Sequence, residues 1–221
     1  MFNNSTAWIT GASSGIGEAQ ALEFARQGAK LVLSARRENE LERVCERCTE
    51  AGADKENVLV LPLDVTDYAA FEPAVADTLG RFRRIDMLIN NAGISQRSLC
   101  VDTDMDVYRQ LMEVDVLGQI ALTKAVLPQM ISQGSGHIAI TSSVAGKIGA
   151  PYRTGYCAAK HAVMGFYDAL RAEVSHQGIH VSTITPGYIQ TNISVHALKG
   201  DGSTFGSVDK DIAGGMDVTK C

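Results

Sequence analysis

Along the chain, short apolar runs alternate with longer stretches in which apolar residues recur every three or four positions. The short runs predict strands near Ala7 to Thr10, Lys30 to Ser34, Val58 to Leu61, Ile85 to Asn90, His137 to Ser142 and Ile179 to Thr185. The longer ones predict helices near Gly15 to Gln27, Asn39 to Glu50, Tyr68 to Gly80, Met105 to Ile131 and Gly155 to His176. Near-continuous apolar strands separated by helices belong to a parallel sheet buried on both faces. The expectation is one α/β domain, a doubly wound parallel sheet in three layers, α/β/α. Gly28 sits where a helix C-terminus favours glycine, and Pro128 falls late in the long fourth helix, where it removes a backbone hydrogen bond and is expected to bend the last turns. Residues 193 to 215 turn rich in Gly, Ser and Asp and are expected to form a mobile loop.

Composition narrows the partners. At 221 residues the chain suits one sizeable core better than two domains. Its 20 Lys and Arg against 25 Asp and Glu leave a net charge of −5, which argues against a phosphate-backbone partner, so no nucleic acid is expected. No run approaches the roughly 18 to 20 apolar residues of a membrane-spanning helix, so no membrane span is expected. Five cysteines, an odd number with no charged-then-apolar leader ahead of them, do not make a secreted disulfide framework. A cytoplasmic setting is the expectation for the chain as written; an anchor ahead of it would bring it to the endoplasmic reticulum or another membrane.

Candidate chemistry starts at the first strand-to-helix junction, Thr10-Gly11-Ala12-Ser13-Ser14-Gly15-Ile16-Gly17. Glycines there let backbone N–H groups and the positive end of the helix reach a pyrophosphate, because a Cβ would block the turn. The spacing is Gly-x-x-x-Gly-x-Gly, not the usual Gly-x-Gly-x-x-Gly, and a glycine turn without ligand is the plain alternative. After the second strand, where an NAD-preferring site places an acid for the ribose 2′-hydroxyl, the chain reads Leu33-Ser34-Ala35-Arg36-Arg37. Arg36, Arg37 and the Ser13 hydroxyl suit a 2′-phosphate, which favours NADP(H) over NAD(H); two solvated arginines are the alternative. Tyr156 and Lys160 stand four apart on a predicted helix, so phenol and ammonium share a face. A nearby cation favours phenolate and draws a tyrosine pKa down from about 10 towards the range of proton transfer. Ser142 and Ser143 end the fifth strand, and open parallel sheets bind ligands outside their carboxyl ends.

Taken in order, the turn from Thr10 to Gly17, Asp64-Val65, Asn90-Asn91-Ala92-Gly93, Ser143, Tyr156-x-x-x-Lys160 and Pro186-Gly187 resemble the classical short-chain dehydrogenases/reductases over residues 7 to about 192. The run from Ser182 through Pro186 and Asn192 to Gly206 is similar to that family's dehydrogenase/reductase member 7 group. The resemblance implies a Rossmann-like domain and an NADP(H)-dependent oxidoreductase that interconverts a small-molecule ketone or aldehyde, lipid-like or steroid-like, with its alcohol. It implies that Tyr156 is the general acid or base, that Lys160 bonds the nicotinamide ribose and holds the tyrosine pKa down, and that Ser143 bonds the substrate oxygen. On the same carry-over, Gly11, Ser13, Ser14, Gly15, Ile16 and Gly17 face the phosphates, and Asp64 and Val65 hold the adenine. Asn91, Ala92 and Gly93 flank the cofactor; Pro186, Gly187, Ile189 and Thr191 line its nicotinamide end. Ser95, Ile148, Tyr152 and Tyr188 are candidate pocket walls, with the loop from Ile193 to Gly206 as a lid. A homodimer or homotetramer is implied, with Leu111, Val114, Leu117 and Ala121 on its interface helices, and no metal.

Two departures from the family pattern open a second reading. Where the family has a catalytic asparagine, this chain has Asp115-Val116-Leu117-Gly118. Ionised beside Lys160, Asp115 would neutralise part of the cationic field and let the tyrosine pKa rise; protonated by burial, it would mimic the amide. The family also continues beyond the position of Cys221 into a further helix and a seventh strand, so the sheet here is expected to lack that C-terminal edge strand. Together they motivate the alternative of a catalytically weak NADP-binding regulatory or interaction module. Cys45 and Cys48 are expected on a helix surface, not in a redox or metal pair, and Gly178 breaks the helix that would align His176 with His180.

Overall fold

The computed structural model describes residues 2–220. Six strands, β1 (Thr6–Thr10), β2 (Lys30–Ser34), β3 (Val58–Val60), β4 (Met87–Asn90), β5 (Gly136–Thr141) and β6 (Ile179–Ile184), pair in parallel in the order β3-β2-β1-β4-β5-β6. The order runs outward from β1 in both directions, which makes the sheet doubly wound and Rossmann-like, with its switch point between β1 and β4. The connecting helices are α1 (Gly15–Arg26), α2 (Glu38–Glu50), α3 (Phe71–Phe82), α4 (Met105–Met112), α5 (Gly118–Gln133) and α6 (Thr154–Val174), and a short α7 spans Lys210–Ala213.

Strand alternation builds the two cores. Ala7, Ile9, Leu31 and Leu33 point to one face and bury against Ala21, Leu22 and Ala25 of α1 and Leu41, Val44, Cys45 and Cys48 of α2. Trp8, Val32, Leu88 and Ile138 point to the other and meet α3, α5 and α6 through Phe71, Leu122, Val126, Val163 and Tyr167. Full burial of each large apolar side chain contributes about 1.5–3 kcal/mol before ordering costs, and Trp8 satisfies its indole N–H on the Ser34 hydroxyl at 2.9 Å.

Three sequence expectations change. Cys45 and Cys48 are buried core residues and not surface ones, because their spacing of three continues the apolar stripe of α2; burial pushes the Cys48 thiol up to about 12. The long fourth helix is interrupted: between α4 and α5, residues Glu113–Leu117 form one π-helical segment. Periodicity could not register it, since Val107, Leu111, Asp115 and Gln119 are buried at a spacing of four that either helix type tolerates. Beyond it, α5 continues past Pro128 to Gln133. Leu111, placed on the interface helices by the sequence, is fully covered within its own chain, whereas Leu117 is exposed. A 3₁₀ turn at Ser175–Gln177 and Gly178 at φ +76° end α6, so His176 and His180 lie on different elements.

Candidate active site at the carboxyl edge of the sheet

The glycine turn lies at the switch point. Gly11 (φ +66°) leaves β1 in the left-handed region, and a Cβ on it would come within 2.9 Å of Ala92 Cα. A Cβ on Gly17 would sit 2.4 Å from the Gly11 carbonyl and 2.6 Å from Asn91 Nδ2, so the first turn of α1 closes on the turn itself only with glycine there. The loop after β4 is tied to β1: Asn91 N and Ala92 N both donate to Thr10 Oγ1 at 3.0 Å, and Asn91 Nδ2 donates to the Thr10 carbonyl at 3.1 Å. A Cβ on Gly15 (φ +59°) would stand 3.2 Å from Thr191 Cγ2, which places the loop after β6 against the same turn. Ser14 occupies the N-cap of α1 without capping it through its side chain, so the hydroxyl does not take the leading N–H groups. A cradle that any Cβ would fill, at the positive end of a twelve-residue helix, fits a dinucleotide pyrophosphate.

Next to it, Arg36, Asp64, Thr66, Arg109, Gln110, Glu113 and Val114 line an open depression of about 370 Å³. Arg36 is exposed and makes no ion pair among the described residues; Arg37, at the N-cap of α2, is exposed and lies outside that lining. The Asp64 carboxylate accepts from the backbone N–H and the hydroxyl of Thr66 at 2.9 and 2.8 Å, which fixes the turn after β3, and Val65 is buried with its carbonyl against Gly118.

Around Tyr156 the structure gathers Lys160, Asp115 and the loop after β5. The Lys160 Nζ lies 5.5 Å from the Tyr156 ring centroid and donates to the Thr141 carbonyl at 3.1 Å. It stands 3.2 Å from Asp115 Oδ2, a charge contact outside hydrogen-bond geometry, and both side chains are all but fully buried, at 4% and 0% exposure. The other carboxyl oxygen, Oδ1, accepts from Ile94 N at 2.7 Å. Burial pushes the Asp115 carboxyl above the ordinary carboxylate range, against the opposing pull of Lys160 and the Ile94 N–H. Burial would lower Lys160, but Asp115 and Tyr156 outweigh it and hold the ammonium above its usual value. Gly93 makes this approach possible: a Cβ there would be 3.3 Å from both Asp115 oxygens and from Lys160 Nζ. Ser143 caps the 3₁₀ turn Val144–Gly146 by accepting from Ala145 N at 3.1 Å, and Ala145 packs on Tyr156. Ser142 points away from the cleft and donates to the Lys160 carbonyl at 3.0 Å, anchoring α6 to β5.

The candidate pocket walls divide. Ile148, Tyr152 and Tyr188 are exposed, and Tyr152 holds φ +64°, a strained conformation for a bulky residue, at the entrance to α6. Ser95 is buried and accepts from Arg153 Nη1 at 2.8 Å, so its hydroxyl serves the scaffold. Pro186 accepts from Val144 N at 2.9 Å; Gly187 follows it, and Ile189 is buried beside Met216. Segment 193–215 is anchored at Asp209, whose buried carboxylate pairs with Arg97 and with Arg153, the latter at 3.1 Å. Arg153, Asp209 and Gln119 were not singled out from the sequence, and Thr10, which opens the glycine turn, was not given its tie to the loop after β4. Gln119 donates to the Ala92 carbonyl at 2.5 Å from inside α5, and no local motif marks it, Arg153 or Asp209.

The family profile described as short chain dehydrogenase matches residues 5–201. Over 216 residues the chain is 49% identical to "Dehydrogenase/reductase SDR family member 7" of Homo sapiens, a match covering 97% of this chain and 64% of that protein. Over 213 residues it is 46% identical to "Dehydrogenase/reductase SDR family protein 7-like" of Drosophila melanogaster, covering 96% and 65%. The chain thus spans somewhat under two thirds of either relative. Among solved structures, levodione reductase superposes with a TM-score of 0.83 at 34% identity, covering 87% of this chain and 75% of that one. A short chain dehydrogenase/reductase from Burkholderia phymatum in complex with NAD superposes equally well, at 0.83 and 27% identity, covering 96% and 76%.

Proposed function

This chain belongs to the short-chain dehydrogenase family, and from that premise we propose that it is an NADP(H)-dependent oxidoreductase interconverting a carbonyl compound and its alcohol. The observation that carries the reading is the buried Lys160 ammonium beside the Tyr156 ring, at the carboxyl edge of the sheet and next to the glycine cradle. The nicotinamide supplies or accepts the hydride. The chain's own residues bind, orient and move protons. Gly11 to Gly17 hold the pyrophosphate on the α1 N-terminus, and Arg36 answers the 2′-phosphate. The Ser143 hydroxyl donates to the reacting oxygen, Tyr156 gives its phenolic proton to that oxygen in reduction and takes it back in oxidation, and Lys160 steadies the phenolate that remains. A homodimer is part of the proposal, with exposed Leu117 available to a second copy. An apolar, lipid-like or steroid-like substrate suits the exposed Ile148, Tyr152 and Tyr188 around the cleft.

Choice of cofactor is tested at Arg36. Arg36→Gln is expected to weaken NADPH binding about 10- to 100-fold, the worth of a charge-assisted contact, and NADH binding less than twofold. Titration of nicotinamide fluorescence reads both constants; equal losses for the two dinucleotides would refute the 2′-phosphate assignment.

The Asp115–Lys160 contact favours a second reading, a binding module with weakened turnover, because the carboxyl shares the cation that Tyr156 needs. Asp115→Asn removes the competing charge, so turnover at neutral pH is expected to rise several-fold and the limb of the pH–rate profile governed by Tyr156 to move to lower pH. Stability provides an independent check. A carboxyl whose folded-state pKa is raised holds its proton more tightly folded than unfolded, so the wild type loses stability as pH climbs from about 4 through that raised value. The asparagine variant lacks this slope and should gain in Tm relative to the wild type across the same rise. A wild-type protein that binds NADPH yet turns over no member of a carbonyl panel, with turnover appearing in Asp115→Asn, would favour the module, and no gain in the variant would remove the ground for it.

A further inference from the structure

Resting on the cofactor reading above, we propose that Arg43, on α2, is a positioning residue for cofactor affinity: it grips the glycine turn from outside and sets the place of Ser13. Ala12 is fixed in the core and by its N–H on the Ser34 carbonyl at 3.1 Å, and the carbonyl of Ser13, next along the turn, is held from α2. Arg43 provides that hold, with every arm of its guanidinium engaged. Nη2 donates to the Ser13 carbonyl at 3.1 Å and to Glu18 Oε2 at 2.9 Å, Nη1 donates to Glu18 Oε1 at 2.7 Å, and Nε donates to Glu40 Oε2 at 2.9 Å. Glu18 is a buried carboxylate in the first turn of α1, one residue beyond Gly17, so a single planar group spans the turn from Ser13 to the helix it opens. Arg47 also pairs with Glu18 but reaches no turn atom. Burial alone would raise the Glu18 pKa, but Arg43 and Arg47 hold it below the ordinary carboxylate range, so the fork stays charged at neutral pH.

Two carboxylates answer the Arg43 charge, so its effect on a bound dinucleotide is geometric and differs from that of Arg36, whose charge is free to face a phosphate. A geometric role acts on the pyrophosphate cradle common to NADPH and NADH; a direct charge contact acts on the 2′-phosphate alone. The test is fluorescence titration of Arg43→Gln, Arg43→Lys and Arg47→Gln with NADPH and with NADH, with Tm recorded for each. Arg43→Gln is expected to raise both dissociation constants by a similar factor, about tenfold, leaving their ratio as in the wild type. Arg43→Lys keeps the charge but cannot span Ser13 and both Glu18 oxygens, so it should lose nearly as much; it also serves if the glutamine variant does not fold. Arg47→Gln is expected to cost a similar amount in Tm and less than twofold in either constant, separating a hold on the turn from general stability. Unchanged constants in both Arg43 variants would overturn the inference, and so would a loss confined to NADPH. A wild-type chain that binds neither dinucleotide would sink the cofactor reading itself, a result separable from the other two.

Discussion

Tyr156→Phe is expected to reduce kcat by about 10²- to 10⁴-fold, the usual worth of a positioned acid or base, while the dissociation constant for NADPH changes less than twofold. The ring remains, so its packing on Ala145 and Cys157 and its place over Lys160 are kept; only the proton is lost. A loss of that size in kcat with KM nearly unchanged marks a group used in the transition state alone. The measurement is NADPH oxidation at saturating cofactor with the best member of a carbonyl panel. Turnover in the phenylalanine variant equal to wild type would remove the proposed mechanism, whatever the cofactor affinity.

Lys160→Met carries the second large effect, and it falls on stability as well as rate. Lys160 is the one side-chain cation recorded against Asp115 among the described residues, and the carboxyl has no solvent to turn to. Removing one member of a buried pair costs about 3–5 kcal/mol, because the survivor stays charged in a medium that cannot solvate it. The sign with pH follows from the same burial. Without the ammonium, the folded-state pKa of Asp115 is raised further, so the variant's deficit should be greatest near neutral pH and shrink as pH falls to about 4 and below, where the unfolded carboxyl also takes up its proton. Urea unfolding at several pH values reads it. Lys160→Met combined with Asp115→Asn should recover most of the stability and none of the activity. A single variant as stable at pH 7 as at pH 4, relative to wild type, would mean that Asp115 is uncharged at neutral pH in the native protein.

Much of the fold was legible because its signals are local. The run from Ala7 to Thr10 reads as a strand from its short apolar run alone, and the structure extends it by one residue to Thr6. Gly11, Gly15 and Gly17 were legible for a similar reason: a positive φ or a backbone approach under 3 Å tolerates few other residues, so the demand is written into the residue type. Tyr156 and Lys160 share a face by helical repeat alone.

Contacts between distant segments were not legible. Cys45 and Cys48 looked like surface positions until α2 lay on the sheet, and Arg37 stood as a secondary candidate beside Arg36 until only the latter reached the depression beside Asp64. The π segment at Glu113–Leu117 left no trace in periodicity, and its Asp115 was open to two opposite readings. Arg43 and Asp209 carry no motif; their roles rest on meeting Ser13 thirty residues away and Arg97 across more than a hundred.

From its order of residues alone, this chain determined the alternation of strand and helix, the glycine turn, and a phenol and an ammonium on one helical face, because each depends on dihedral preference or repeat within a few residues. Only the folded arrangement decided the surroundings of that ammonium. The raised pKa of Lys160, the raised pKa of Asp115 and the hold of Arg43 on the turn all depend on exclusion of water and on distances between segments far apart in sequence, and those are properties of packing.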